Sequence, residues 1–175
     1  MKKRWLILVL SMSAFAGPPL VCQRIDIGTA VSLPWKNVEG WAGQDPVYDL
    51  KLFTEDTLAL LTNGAPIQVR METMRRAAIY AARDPRLAEE IALRLTARVL
   101  DGNAESPIAW FDAGYFVETV RQASAIYKFD ILTPAEKANW RLREGITGLD
   151  GKKWVVRAVR MGGKGMGTAV ARMGD

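Results

Sequence analysis

From Ile108 to Val117 the chain reads Ile-Ala-Trp-Phe-Asp-Ala-Gly-Tyr-Phe-Val, and Asp112 is its only charge. A helix that is apolar on nearly every side has no face to give to water, so this segment belongs in the middle of the fold. Ser106 can cap the free N–H groups of its first turn, and Pro107 suits the first helical position. The second half, to Tyr127, is more polar, with Glu118, Thr119, Arg121, Gln122 and Ser124. The helix is therefore expected to emerge towards solvent.

Around this centre the sequence predicts an all-α fold, a compact bundle of about five to six helices. Thr54 can cap a short helix that ends at Asn63-Gly64. Pro66 opens a second, with Ile67, Met71, Met74, Ala78 and Ala81 as its apolar stripe. Arg70, Arg75, Arg76 and Arg83 fall off that stripe and read as its wet face. Asp84-Pro85 is a stop and a start together. The helix that follows buries Ala88, Ile91, Ala92, Leu95 and Val99, and Glu90, Arg94 and Arg98 follow one another at intervals of four along its outer side. Gly102 is a natural stop. So short a connection makes 66–83 and 85–101 an antiparallel hairpin. Thr133, Pro134 and Glu136 form a capping box for a helix to about Glu144. Asp150 can cap a last helix through Met161, with Trp154, Val155, Ala158 and Val159 inward. Proline-opened helices at 66, 85, 107 and 134 are unequally spaced and no residue signature recurs, so no regular helical repeat is inferred, and a short, irregular stack of helix pairs stays open.

The ends are of a different character. Lys2-Lys3-Arg4, an apolar run from Trp5 to Phe15 and the small-x-small site Ala14-Phe15-Ala16 have the three-part form of a secretory signal peptide over 1–16. The expected location is therefore the periplasm or the extracellular space, with no transmembrane segment in the mature chain. Cys22 invites a lipoprotein reading, but Pro19 and Val21 stand where a lipobox needs Leu and a small residue. Residues 17–53, broken by Pro18, Pro19, Pro34 and Pro46, form an irregular arm ahead of a helical domain at 54–161. Residues 162–175 form a Gly-rich tail, flexible or partly helical. Its Gly-Gly-Lys-Gly-Met-Gly does not make a phosphate loop: it lacks a preceding strand and a Ser or Thr after the lysine.

Composition narrows the chemistry. With no histidine, His-based triads, histidine metal ligands and most general-base schemes are excluded, and one cysteine allows neither an intramolecular disulfide nor a thiolate zinc site. No metal or other cofactor is expected. Of 24 Lys and Arg, three lie in the signal segment, leaving 21 against 19 acidic residues, a weak footprint for nucleic acid.

The candidate residues are few. Asp112, amid Trp110, Phe111, Tyr115 and Phe116, is costly to bury alone. Either an arginine of the hairpin meets it, or it lies in a cleft with a raised pKa as an acid or base. No second catalytic group is recognisable nearby, which favours the ion pair. Trp35 and Trp41 either pin the arm onto the helices or offer a platform to a sugar ring or peptide. Arg75 and Arg76 could meet an anionic partner. Glu89 and Glu90 point about 100° apart on a helix and cannot easily share a site. The leading expectation is an exported, non-enzymatic helical binding or scaffold protein, its partner another protein or an envelope polymer. The alternative is a carboxylate-dependent hydrolase of an envelope polymer, with Asp112 as acid/base.

Overall fold

The computed structural model describes residues 19–36, 38, 40–82, 84–101, 104–127 and 148–173. The signal segment, the Gly102 stop and the helix expected after Thr133 lie outside them. Among the described residues there are seven helices: α1 (Pro19–Cys22), α2 (Phe53–Leu60), α3 (Ile67–Ala81), α4 (Pro85–Leu100), α5 (Pro107–Tyr127), α6 (Gly151–Arg160) and α7 (Gly167–Arg172). The fold is all-α, and among the described residues the one strand-like feature is an isolated antiparallel bridge between Trp35 and Gln44.

Helix α5 packs on α1, α3, α4 and α6. Ala109, Phe111, Ala113, Tyr115, Phe116, Val117 and Val120 are buried along it, so nearly every side of its first half meets protein. Ser106 accepts from the Ala109 N–H at 3.4 Å. The α4 start is as its sequence implies: the Asp84 side chain accepts from Arg86 N–H. At α2 the chain departs from expectation. The helix begins at Phe53, and Thr54 is buried without capping it. Burial of Phe53 and Thr57 sets this helix in place, and Thr57 turns its hydroxyl back to the Phe53 carbonyl at 2.7 Å.

The largest correction concerns α3. Its arginines do not form a wet face: Arg70, Glu72 and Arg75 are each 0% exposed. The N-terminal arm lies over that side and converts it into an internal polar layer. The arm begins in the core, since Leu20 and Val21 of α1 are buried, the Leu20 N–H donates to Gln122 Oε1 at 3.0 Å, and α1 packs on α5 and α3.

The C-terminal segment is likewise more ordered than a flexible tail. Gly162, with φ of 87°, donates to the Val159 carbonyl, and Gly163 donates to that of Ala158. This pair of bonds around a left-handed residue is the glycine-dependent C-terminal stop of a helix, which no L side chain adopts readily. The chain turns there and enters α7, whose neighbourhood buries Met166, Ala169 and Met173. Arg172 then reaches the Gln23 carbonyl at 3.1 Å, joining the two ends of the described chain.

Helices α5 and α6 meet at two glycines. A Cβ on Gly114 would stand 2.6 Å from the Gly151 carbonyl and 2.7 Å from Trp154 Cβ, and one on Gly151 would stand 2.8 Å from Glu118 N. The backbones touch, and Val155 and Ala158 fill the seam beside them. Among the described residues no helix is long and apolar enough to cross a membrane.

Candidate functional site

Glu72 is the hub of the layer under the arm. Being on a helix, it has Arg75 and Arg76 at three and four residues further on, within reach on one side. It accepts from Arg75 Nε at 2.8 Å and Nη2 at 2.9 Å, and from Arg76 Nε at 2.9 Å. The arm supplies the remaining partners. Ile25 N–H donates to Glu72, Arg75 donates to the carbonyls of Val21 and Gly40, and Arg76 donates to that of Leu33. Burial pushes the Glu72 carboxyl up, but the hydrogen bonds and charges of Arg75, then Arg76, outweigh it and hold the group below its ordinary value. Arg75 and Arg76, candidates for an anionic partner, are thus spent inside the protein. Trp35 stacks on them, its ring centroid 4.9 Å and 5.8 Å from their guanidinium carbons, and Gly43 leaves room for its indole. This tryptophan fastens the arm.

Asp112 lies on the other side of α3. It is 1% exposed and accepts from Arg70 Nη1 at 2.5 Å. Arg70 also donates to the carbonyls of Ala65 and Thr62, tying the α2–α3 connection to α5. The second Asp112 oxygen has no hydrogen-bond partner among the described residues. Burial pushes the carboxyl up from 3.8 to about 6, against the pull of Arg70 and, beyond it, Arg98.

A group with a raised folded pKa holds a proton that the unfolded chain has released. Its contribution to stability is full below pH 3.8 and is lost as pH rises through about 6. The expected loss across that window is on the order of 2–3 kcal/mol. Asp112→Asn should abolish this part of the pH dependence while leaving the rest of the profile. Urea unfolding of both proteins at intervals across the window checks it, and a parallel slope in the two would show that Asp112 is not the titrating group.

The arm also shapes a cavity of about 470 Å³ whose walls include Lys36, Trp41, Gln44, Asp45, Tyr48 and Tyr80. Its aromatic walls are fixed in place. The Tyr80 hydroxyl donates to the Pro34 carbonyl at 2.6 Å and accepts from Asp45 N–H at 2.8 Å. The Tyr48 hydroxyl donates to Asp56 at 2.7 Å, and the two tyrosine rings meet edge to face at 5.3 Å. Both hydroxyls are occupied, so these residues offer ring surface. The Trp35–Gln44 bridge, with Lys36 N–H on the Gly43 carbonyl at 2.7 Å, closes the loop that carries Trp41. Both tryptophans are partly buried; Trp41 lies on the cleft wall, whereas Trp35 faces Arg75 and Arg76 of α3.

Of the sequence candidates, the cleft takes Trp41 alone. Asp112, Trp35, Arg75 and Arg76 stand in the protein's internal contacts. Tyr48, Tyr80, Lys36, Gln44 and Asp45 are additions; the aromatic density of the arm between Trp35 and Tyr48 points to the arm's share of the wall, and nothing local points to Tyr80 on α3. Among the described residues no group of three or more acidic, histidine or cysteine side chains is placed to hold a metal ion. These features define a helical protein whose largely irregular N-terminal arm forms, with Tyr80 of α3, the walls of an open cleft. No family model matches the chain, and neither a curated protein nor a solved structure is similar to it.

Proposed function

We propose that the chain is an exported, non-enzymatic binding protein whose arm cleft takes a neutral saccharide segment of an envelope polymer. The cleft carries this reading. Its ring surfaces suit the apolar face of a sugar, and a cavity of this size with a few polar groups is the usual form of a ligand site. Lys36 and Asp45 balance in charge, which suits a neutral, hydroxyl-rich ligand better than an ion. The hydrolytic alternative rests on Asp112, and a carboxylate 1% exposed against Arg70 meets no substrate.

Export rests on the basic, apolar and small-x-small succession of 1–16. Cleavage after Ala16 leaves α1 whole. Processing at Cys22 would remove Leu20 and Val21, both buried, and the carbonyl that Arg75 uses.

Calorimetric titration of the mature protein with neutral oligosaccharides of increasing length tests the reading. Binding should strengthen with length, and Trp41→Ala should weaken it by at least tenfold, about 1.4 kcal/mol. Lys153→Ala, on exposed α6 surface, should bind like the wild type. Binding that Trp41→Ala leaves intact would remove the cleft from consideration. A second reading, docking of a protein, is favoured by Val47, 85% exposed, and Leu52 on the same arm. Silence towards every saccharide would leave that one standing.

A further inference from the structure

We propose that the outer face of α4 is a twofold contact between two copies of this chain. The inference is independent of the arm cleft and comes from side chains on the opposite side of α4 from its core stripe. Leu93 and Leu100 are 71% and 75% exposed. They are seven residues apart, hence on one line along the helix. Among the described residues this aliphatic pair stands outside the core that Ala88, Ile91, Ala92, Leu95 and Val99 join.

Ala97 lies on the same line between the two leucines. It forms part of the wall of a groove of about 570 Å³ between α2 and α4, together with Leu58 and Ala59. A small residue beside a groove, flanked by two protruding leucines, is a hole next to knobs. If a second α4 is laid antiparallel across the first, the flank that carries the leucines meets the same flank of the other copy, and Leu100 of each packs against Leu93 of the other beside Ala97. This is the self-complementary arrangement that a twofold axis requires.

Charge selects the direction. Arg94 and Asp101, also seven apart, both line the groove. In the antiparallel arrangement Arg94 of each copy opposes Asp101 of the other. A parallel pair would set Arg94 against Arg94 and Asp101 against Asp101. Asp101 is otherwise badly placed: it is the C-cap of α4, where the helix dipole disfavours a carboxylate. A cation from a second copy answers it. Among the described residues Arg94 pairs with Glu55 at 3.2 Å and in solvent, an attachment easily exchanged.

Sedimentation velocity on the mature protein from about 1 μM to about 1 mM tests this, a span that covers weak to moderate dimers. The expected result is a concentration-dependent dimer. Leu100→Gln should raise its dissociation constant at least tenfold, with the thermal midpoint of the dilute protein unchanged because the side chain is exposed. Arg94→Asp should weaken the dimer, and adding Asp101→Arg should restore it. A monomer at every concentration overturns the proposal. So does a dimer indifferent to Leu100→Gln, which must use another surface, and so does a failure of the double charge exchange to restore association.

Discussion

Glu72→Gln is expected to destabilise the protein by about 3–5 kcal/mol, the range for removing one partner of a buried ion cluster. The substitution keeps the shape and removes the charge. Arg75, 0% exposed, would then hold a guanidinium in the core with only carbonyls around it. An amide cannot accept from Arg75, Arg76 and Ile25 N–H together while its NH₂ points at a cation. The arm should loosen first, because Glu72 and the two arginines it holds bind the arm at Val21, Ile25, Leu33 and Gly40. Limited proteolysis within residues 23–52 should therefore accelerate more than the global stability change implies, as expected for a local opening. The pH profile gives a second reading. Glu72 is held below its ordinary 4.5, so its contribution is present above that value and is lost as pH falls below it. Glu72→Gln should flatten that acid limb. Equilibrium urea unfolding at neutral pH is the measurement, and a loss below about 1 kcal/mol would mean that the layer is open to water.

Gly114→Ala carries the second large effect, and its sign is diagnostic. On a free helix, replacing an interior glycine by alanine stabilises by about 1 kcal/mol. Here the new methyl would meet the Gly151 carbonyl at 2.6 Å and Val155 N at 2.9 Å, well inside the ~3.5–4.0 Å of ordinary contact. Backbone cannot rotate away as a side chain can, so α6 must lift from α5. Lifting it opens the seam that Val155 and Ala158 fill. The expected cost is about 3 kcal/mol, at the upper end for overpacked cores, or more. Gly151→Ala should behave the same way from the opposite helix. Gly167→Ala is the control, since a Cβ there meets nothing within 4 Å, and it should be neutral or slightly stabilising. Thermal unfolding of the three variants decides the matter: stabilisation by Gly114→Ala would show that α5 and α6 do not touch there.

Local chemistry made much of this fold legible in the sequence. Pro66, Asp84-Pro85, Ser106-Pro107 and Asp150 each constrain a helix start through a cap or a fixed φ, and α3, α4, α5 and α6 begin beside them. The almost uncharged run from Ile108 to Val117 required a central place, because no rotation of that helix exposes a polar face. Asp112 announced a partner by the cost of burying it alone, and an arginine from the hairpin is what it meets. Periodicity misled at α3, because a stripe of arginines beside an apolar stripe looks the same whether water or another segment covers it. Only the tertiary structure brings the carbonyls of Val21, Leu33 and Gly40 onto those guanidinium groups and turns a surface into a core. The Glu72, Arg75 and Arg76 spacing was visible, but spacing does not report burial.

The cleft was hidden for a related reason. Trp41 and Tyr48 are close along the chain, but Tyr80 is far from both, and the arm's aromatics alone do not say that a second segment completes a wall with them. The glycines of 162–163 likewise carry no sign in the sequence of whether they loosen a tail or stop a helix. What decides is whether the residues beyond them, Met166, Ala169 and Met173, find apolar surface to bury, and here they do. The sequence alone thus determined where helices begin and which one must be central, because those follow from backbone and solvation rules acting over a few residues. The tertiary structure decided which charges are internal, which tryptophan lines the cleft with Tyr80 and where two backbones touch, because each depends on atoms that the chain brings together from a distance.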